Sequence, residues 1–330
     1  MMEMIALHSL TKNFGPLCAV DNVSMSVKRG EVLGFLGPNG AGKSTTMKMV
    51  TGFLPPTSGT AVVSGFDVIE NPLEVKRRIG YLPEGAPTYG DMTPKAFLKF
   101  ISRIRGFNGA EGRKRIDAAV EKLELQGVLN QSIDTLSKGF KRRVGLAQAI
   151  LHDPEVLIMD EPTDGLDPNQ KHQVRALIRN MAADKAIVIS THILEEVEAV
   201  CTRAVIISDG RLLADGAPGE LLSKAPNHNA VIIRAAANKA KIVQAEMAKL
   251  PNVLSVDAVE EIDDALRLRV SPKDGSDIAA DVSALIKDKG LEVQEMFVEK
   301  GSMDEVFRLI TTGSKKMRGA EGKDRDSGDA

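Results

Sequence analysis

The chain has 330 residues, 43% hydrophobic and 27% charged, which excludes a wholly disordered chain and leaves apolar material for two cores. Lys and Arg number 43 against 45 for Asp and Glu, a formal net charge of -2, so no basic excess points to a nucleic-acid surface. Cys18 and Cys201 match no metal or redox spacing; that is the usage of a reducing compartment, and both read as packed thiols.

From residue 1 to about 215, short apolar runs alternate with stretches of helical periodicity, the pattern of an α/β domain. No run approaches the roughly 18 to 20 apolar residues that span a bilayer. Met1 to Leu10 carries Glu3 and lacks the basic and apolar segments of a secretory signal. The chain is therefore expected neither to cross a membrane nor to be secreted.

The spacing predicts a strand at Val32 to Leu36, followed by Gly37-Pro38-Asn39-Gly40-Ala41-Gly42-Lys43-Ser44-Thr45 and a helical segment. Glycines let backbone N–H groups curl around an anion, and the positive end of the following helix points at the same place. Lys43 is expected to reach the β- and γ-phosphates of a nucleotide. Ser44 offers its hydroxyl to Mg²⁺, and Thr45 can bond a phosphate oxygen. A plain Gly-rich turn is the competing reading, and the flanking strand and helix speak against it.

Thr93 to His152 reads as successive helices with no strong strand, a helical insertion. Within it Leu136-Ser137-Lys138-Gly139-Phe140-Lys141-Arg142-Arg143 opens a helix running to about His152. Ser137 suits its N-cap, which makes a second anion-directed helix start; the basic residues otherwise form a solvated face.

Further strands are expected at Val156 to Met159, Ile187 to Ile189 and Val205 to Ile207, apolar without alternation as central parallel strands are. The first ends in Asp160-Glu161-Pro162 and the second in Ser190-Thr191-His192. Open parallel sheets place ligands beyond the carboxyl ends of their strands, so these groups should face the glycine loop. Asp160 would then hold Mg²⁺, and Glu161 would polarise the attacking water as a general base. Adjacent acids at a strand end otherwise serve as helix caps. His192 is placed to donate to the γ-phosphate, whereas His8, His152, His172 and His228 read as structural.

Lys224 to Asn229 reads as a linker. Beyond it the expected order is strand (Val231 to Ile233), helix (Ile242 to Leu250), strands (Val253 to Val259 and Leu266 to Val270), helix (Ile278 to Lys287) and strand (Val293 to Val298). That order suggests a split βαβ arrangement. Arg267 and Arg269 alternate with apolar residues, as in a strand with one wet face. The predicted domains are 1–224 and a small α+β unit at 229–311, with a disordered tail at 312–330.

Taken together, these residues in this order resemble the ATP-binding subunit of an ABC transporter, over residues 1 to about 222. The resemblance implies a P-loop NTPase fold, an α/β domain with a mainly parallel central sheet. Gly37 to Thr45 match the Walker A loop, and Asp160 and Glu161 match Walker B and the catalytic glutamate. Phe14 falls where the family stacks an aromatic on adenine. Gly165-Leu166-Asp167-Pro168 is similar to the D-loop, and His192 to the switch histidine. Leu136 to Phe140 resembles the signature motif, which in this family closes over ATP bound to the opposite subunit, Ser137, Lys138 and Gly139 included. Two motifs depart from the pattern: the usual LSGGQ is Leu-Ser-Lys-Gly-Phe, and the Q-loop glutamine is replaced by Glu84, which can bind metal but cannot donate a hydrogen bond when ionised.

The finer resemblance is to exporter-type subunits of the drug-resistance and gliding-motility kind, through Tyr81-Leu-Pro-Glu84, the Leu-Ser-Lys-Gly-Phe signature and the C-terminal unit ending in Ser302 to Phe307. It implies an ATPase using ATP and Mg²⁺, a homodimer or a pair with a related subunit, and a separate integral membrane permease. It also implies a place on the cytoplasmic face of the membrane and no nucleic-acid partner. Met92, Phe97 and Phe100 are candidates for the permease contact, with core packing the alternative. The rival functions are a soluble ABC ATPase acting on nucleic acid or ribosomes, and an ATP-sensing regulatory module.

Overall fold

The computed structural model describes residues 2–85 and 88–312, and the chain divides into two compact units, Met1–Pro218 and Gly219–Ala330. The first unit opens with strands β1 (Glu3–Phe14), β2 (Leu17–Lys28) and β3 (Val32–Leu36) and helix α1 (Lys43–Val50). Strands β4 (Ser58–Val63) and β5 (Phe66–Asp67), helix α2 (Pro72–Arg78) and strand β6 (Ile79–Leu82) follow. Then come helices α3 (Pro94–Ile104), α4 (Gly109–Lys122) and α5 (Lys138–Ile150), the helical stretch expected from the sequence. The unit continues through β7 (Val156–Asp160), α6 (Pro168–Ala182), β8 (Ala186–Thr191), α7 (Leu194–Val200), β9 (Arg203–Ser208) and β10 (Arg211–Gly216).

Six of these strands form a sheet of order β10-β9-β3-β8-β7-β6. Its inner pairs are parallel, and only β10 runs antiparallel to its neighbour. Every residue of β3, β7 and β8 is buried, as their unbroken apolar runs require. Gly34 sits in the middle of β3 because a Cβ there would fall 2.8 Å from the Cys201 sulfur at the end of α7.

A second, antiparallel sheet of order β2-β1-β4-β5 was not anticipated. Its strands are long but irregular. Ser9 and Asn22 adopt positive φ of 49° and 53°, and register shifts interrupt the β1–β2 ladder between Leu7 and Leu10, so the two-residue alternation is broken. Met4, Leu7 and Leu10 of β1 still join Phe35 of β3, Met47 and Met49 of α1 and Ile158 of β7 in one core. Cys18 departs from expectation: it is exposed, whereas Cys201 is buried.

Helix α8 (Pro218–Leu222) spans the division between the units, upstream of the expected linker. The second unit contains β11 (Ala230–Ala236), α9 (Ala237–Met247), β12 (Val253–Ile262), β13 (Ala265–Pro272), α10 (Ala279–Asp288) and β14 (Glu295–Glu299). Its sheet has the order β12-β13-β11-β14 with every pair antiparallel, which is the split βαβ topology. Val231, Ile233, Leu268 and Val270 pack with Val243 and Met247 of α9 and Val282 of α10. Arg267 and Arg269, on the alternate positions, pair with Glu260 and Glu299 at 3.1 and 2.7 Å. Thr312 continues a helical stretch over 303–312 instead of opening the tail, and the rest of the expected tail lies outside the described residues. Among the described residues no helix is long and apolar enough to cross a membrane.

Candidate functional site

Strands β6, β7, β8 and β3 lie side by side, with Leu82 opposite Met159, Asp160 opposite Ser190 and Thr191 opposite Leu36. Neighbouring strands are about 4.8 Å apart. The chain therefore leaves all four carboxyl ends along one edge, through Glu84, Glu161, His192 and the loop from Gly37.

In that loop Gly40 and Gly42 have φ of 81° and 101°, values that glycine adopts without strain. Around a Cβ built on Gly40 there is open space, whereas one on Gly42 would meet the Ala19 carbonyl at 2.5 Å. Gly37, Ala41 and Gly42 are buried, Pro38, Asn39 and Gly40 are exposed, and Ser44 and Thr45 are half-buried in the first turn of α1. That turn carries no acidic residue, so nothing there opposes an anion. Lys43 is 6% exposed and donates from Nζ to the carbonyls of Gly37 at 2.6 Å and Pro38 at 3.1 Å. Burial pulls its pKa below the ordinary lysine value, while Glu161, Asp160 and Glu84 act in the opposite direction. Those three acids are thus the electrostatic neighbours of the loop's cation.

Asp160 is 2% exposed. Its Oδ1 accepts from the Ser190 hydroxyl, and its Oδ2 is buried without a partner among the described residues. A buried carboxylate oxygen left unpaired is costly unless a cation or water completes it. With the Ser44 hydroxyl it supplies hard oxygen donors, which suit Mg²⁺. Among the described residues no group of three or more His, Cys, Asp or Glu is arranged to hold a metal.

Glu161 follows with φ of 50°, a left-handed conformation that costs a non-glycine residue on the order of 1 to 2 kcal/mol. Its N–H donates to the Ser190 carbonyl at 3.1 Å, and its Oε1 accepts from His192 Nδ1 at 2.8 Å. The His192 side chain is 49% exposed and that of Glu161 17%, so the pair opens to solvent through the imidazole.

Ser137 caps α5, its Oγ accepting from the Phe140 N–H at 3.3 Å. Lys138 pairs with Asp164 at 2.9 Å and, with Arg142 and His192 adding, holds that carboxyl below the ordinary aspartate range. Gly139 is buried, and a Cβ on it would fall 2.4 Å from Gln170. Asp167 caps α6 by accepting from the Gln170 N–H at 2.9 Å. Ser137, Lys138, Gly139 and Asp167 thus form one patch; none of their hydrogen bonds or ion pairs among the described residues reaches the loop at 37–45. Phe14 is 48% exposed at the end of β1, with the Lys12 ammonium 5.3 Å from its ring centroid.

Several residues that organise the site were not singled out from the sequence. Glu196 is buried and accepts from Thr191 at 2.9 Å and from Thr163, tying the β8 end to the turn after Glu161; burial raises its pKa above the ordinary range. A solvated face at Lys141 to Arg143 is not what forms, because Arg142 and Arg143 are 6% and 7% exposed. Arg142 shares the helical spacing of Leu146 and Ile150, and that period was the available signal.

Of the candidates for a partner contact, Phe97 is buried, Met92 half-buried and Phe100 38% exposed. An open cavity of about 860 Å³ lies close by, with Phe53, Ile101 and Ile104 as apolar lining, Lys76, Arg77 and Arg105 as cations, and no carboxylate among the described residues. His152 lines it too; its Nε2 lies 3.0 Å from the Ile79 carbonyl. Burial, with Arg105 and Arg115, lowers its pKa to about 4.

A family model described as ABC transporter matches residues 20–164. The chain is 38% identical over 225 residues to the probable multidrug ABC transporter ATP-binding protein YbhF of Escherichia coli K12, covering 68% of this chain. It spans only 39% of the length of that relative. It is also 38% identical over 219 residues to the Nod factor export ATP-binding protein I of Burkholderia orbicola, covering 66% of this chain and 72% of that one. Among solved structures, a dimeric bacterial ABC transporter cassette, MJ0796, superposes with a TM-score of 0.61 at 25% identity, over 65% of this chain and 99% of the other.

Proposed function

This chain belongs to the ABC transporter family of ATP-binding proteins, and from that premise we propose that it binds ATP with Mg²⁺ and hydrolyses it to ADP and phosphate in a head-to-tail dimer that drives export through a separate membrane permease. The observation that carries the reading is the meeting of Lys43, in its glycine loop, with Asp160 and the Glu161–His192 pair at the ends of adjacent parallel strands.

The phosphates are read as lying on the N–H groups of the loop and the start of α1, with Lys43 on the terminal phosphates and Phe14 under the adenine. Ser44 and Asp160 would hold Mg²⁺, with Glu84 beside them; when bound, the ion neutralises charge on the phosphate oxygens. Glu161 accepts the proton of the attacking water, and His192 orients that carboxylate and can donate to the γ-phosphate.

Ser137, Lys138 and Gly139 are assigned to the nucleotide of a second copy or a related subunit. ATP then supplies charge that two surfaces share, and its loss on hydrolysis releases them, a two-state switch. The names of the relatives, multidrug and Nod factor export, favour an exporter. The cavity beside α3, apolar with a cationic lining, suits a permease segment with an apolar face and an acidic residue. This would hold the chain at the cytoplasmic face of the membrane.

The test is phosphate release by the purified chain against Glu161→Gln. A loss of about two to four orders of magnitude with nucleotide binding retained is expected; equal rates would remove Glu161 from the role. Capture of a polytopic membrane protein with the chain from detergent extracts tests the permease, and a stable association with ribosomes or nucleic acid instead would overturn it.

A further inference from the structure

Arg142 carries one of the most heavily used side chains in the first unit. From a buried position on α5 its Nη2 donates to the carbonyls of both Asp160 and Glu161, its Nη1 to that of Pro83 at 3.1 Å and its Nε to that of Pro162 at 3.4 Å. Among the described residues no carboxylate accepts a hydrogen bond from it, although Asp164, Asp160, Glu161 and Glu84 are near enough to favour its charge. A buried guanidinium is normally matched to a carboxylate; this one is spent on four backbone oxygens, three of them consecutive. The three consecutive oxygens belong to the turn that carries Glu161 in its left-handed conformation. The Glu161 N–H is held by Ser190 on one side and its carbonyl by Arg142 on the other, which leaves the side chain to meet His192.

We propose that Arg142 is a positioning residue that holds the strained Glu161 turn, and so aims the Glu161 carboxylate, from the helix that begins at Ser137. The proposal rests on reading Glu161 as the general base. Lysine in its place keeps the charge but cannot span four acceptors with one planar fork. A small misplacement of a reacting group is enough to slow a reaction by about a hundredfold.

The experiment is a kinetic cycle on the full chain with Arg142→Lys, Glu161→Gln and the double variant, reading kcat, nucleotide affinity and Tm. Arg142→Lys is expected to lower kcat by about tenfold to a hundredfold while nucleotide affinity holds and Tm falls with the loss of donors to buried carbonyls, and the double variant should be no slower than Glu161→Gln. A wild-type kcat in Arg142→Lys overturns the proposal. So does a double variant slowed by both factors, or a loss of nucleotide affinity that parallels the loss of kcat. If Glu161→Gln itself turns over normally, the base assignment fails first, which is a different result. Arg142→Gln is the second variant. Should neither fold, arginine-selective nitrogen NMR of the wild-type chain decides: slow rotation of the Arg142 guanidinium supports the proposal, and free rotation overturns it.

Discussion

Lys43 Nζ donates to the carbonyl oxygen of Gly37 at 2.6 Å and closes the glycine loop on itself. On the proposed reading a nucleotide draws that ammonium from two backbone carbonyls onto phosphate oxygens, exchanging neutral acceptors for charged ones. Charge-assisted bonds of this kind contribute about 1.5 to 3 kcal/mol. Lys43→Ala should therefore weaken ATP binding by about tenfold to a hundredfold, measured by titration with a fluorescent nucleotide; unchanged affinity would place the phosphates elsewhere.

Ser137→Arg puts a long cation at the cap of α5, on the patch shared with Lys138 and Asp164. Nucleotide binding by one protomer should be intact while ATP-dependent dimers vanish from size-exclusion profiles. Dimers forming normally would count against a shared pocket.

Gly80 lies where β6 meets α5, and a Cβ there would fall 2.2 Å from the Ala149 carbonyl oxygen and 2.8 Å from the Pro154 ring. Neither neighbour is the flexible end of a side chain. Gly80→Ala should cost about 1 to 3 kcal/mol by overpacking, seen as a lower Tm with nucleotide affinity little changed. An unshifted Tm would mean that the strand and helix separate freely.

His152 gains its proton near pH 4 in the folded chain, because of burial and the nearby Arg105 and Arg115, against which the Ile79 carbonyl and Asp153 act. In the unfolded chain it gains it near its ordinary value of about 6.5. Between those values the unfolded state holds the extra proton, so this group's contribution is full above pH 6.5 and falls as the pH drops toward 4, by up to about 3 kcal/mol. Tm measured across that range should fall less steeply in His152→Gln than in the wild type. Parallel slopes would remove His152 from the acid response.

The placement of the candidate residues was legible where chemistry and periodicity coincide. Val32 to Leu36, ahead of the glycine loop, is β3 residue for residue, and Val156 to Met159 stops one short of β7. Asp160, Glu161 and His192 stand at the strand ends that this pattern implied. The β1–β2 pairing was not legible, because Ser9 and Asn22 turn the chain to positive φ inside strands and break the alternation. Arg142 was hidden for a different reason. A basic residue beside Lys141 and Arg143 reads as surface until its backbone acceptors are known, and those come from strands far away in sequence. In the second unit, the strand expected at Val293 to Val298 lies at Glu295–Glu299, because edge pairing with Ala230–Arg234 sets its register and not hydrophobicity alone.

Strand β14 is made last in its sheet yet zips onto β11, which is made first. Any message cut short before Glu295 would leave one flank of β11 with bare amides and carbonyls, a template for foreign strands. Truncation there yields a sticky half-sheet for chaperones and proteases to clear, and not a smaller working module.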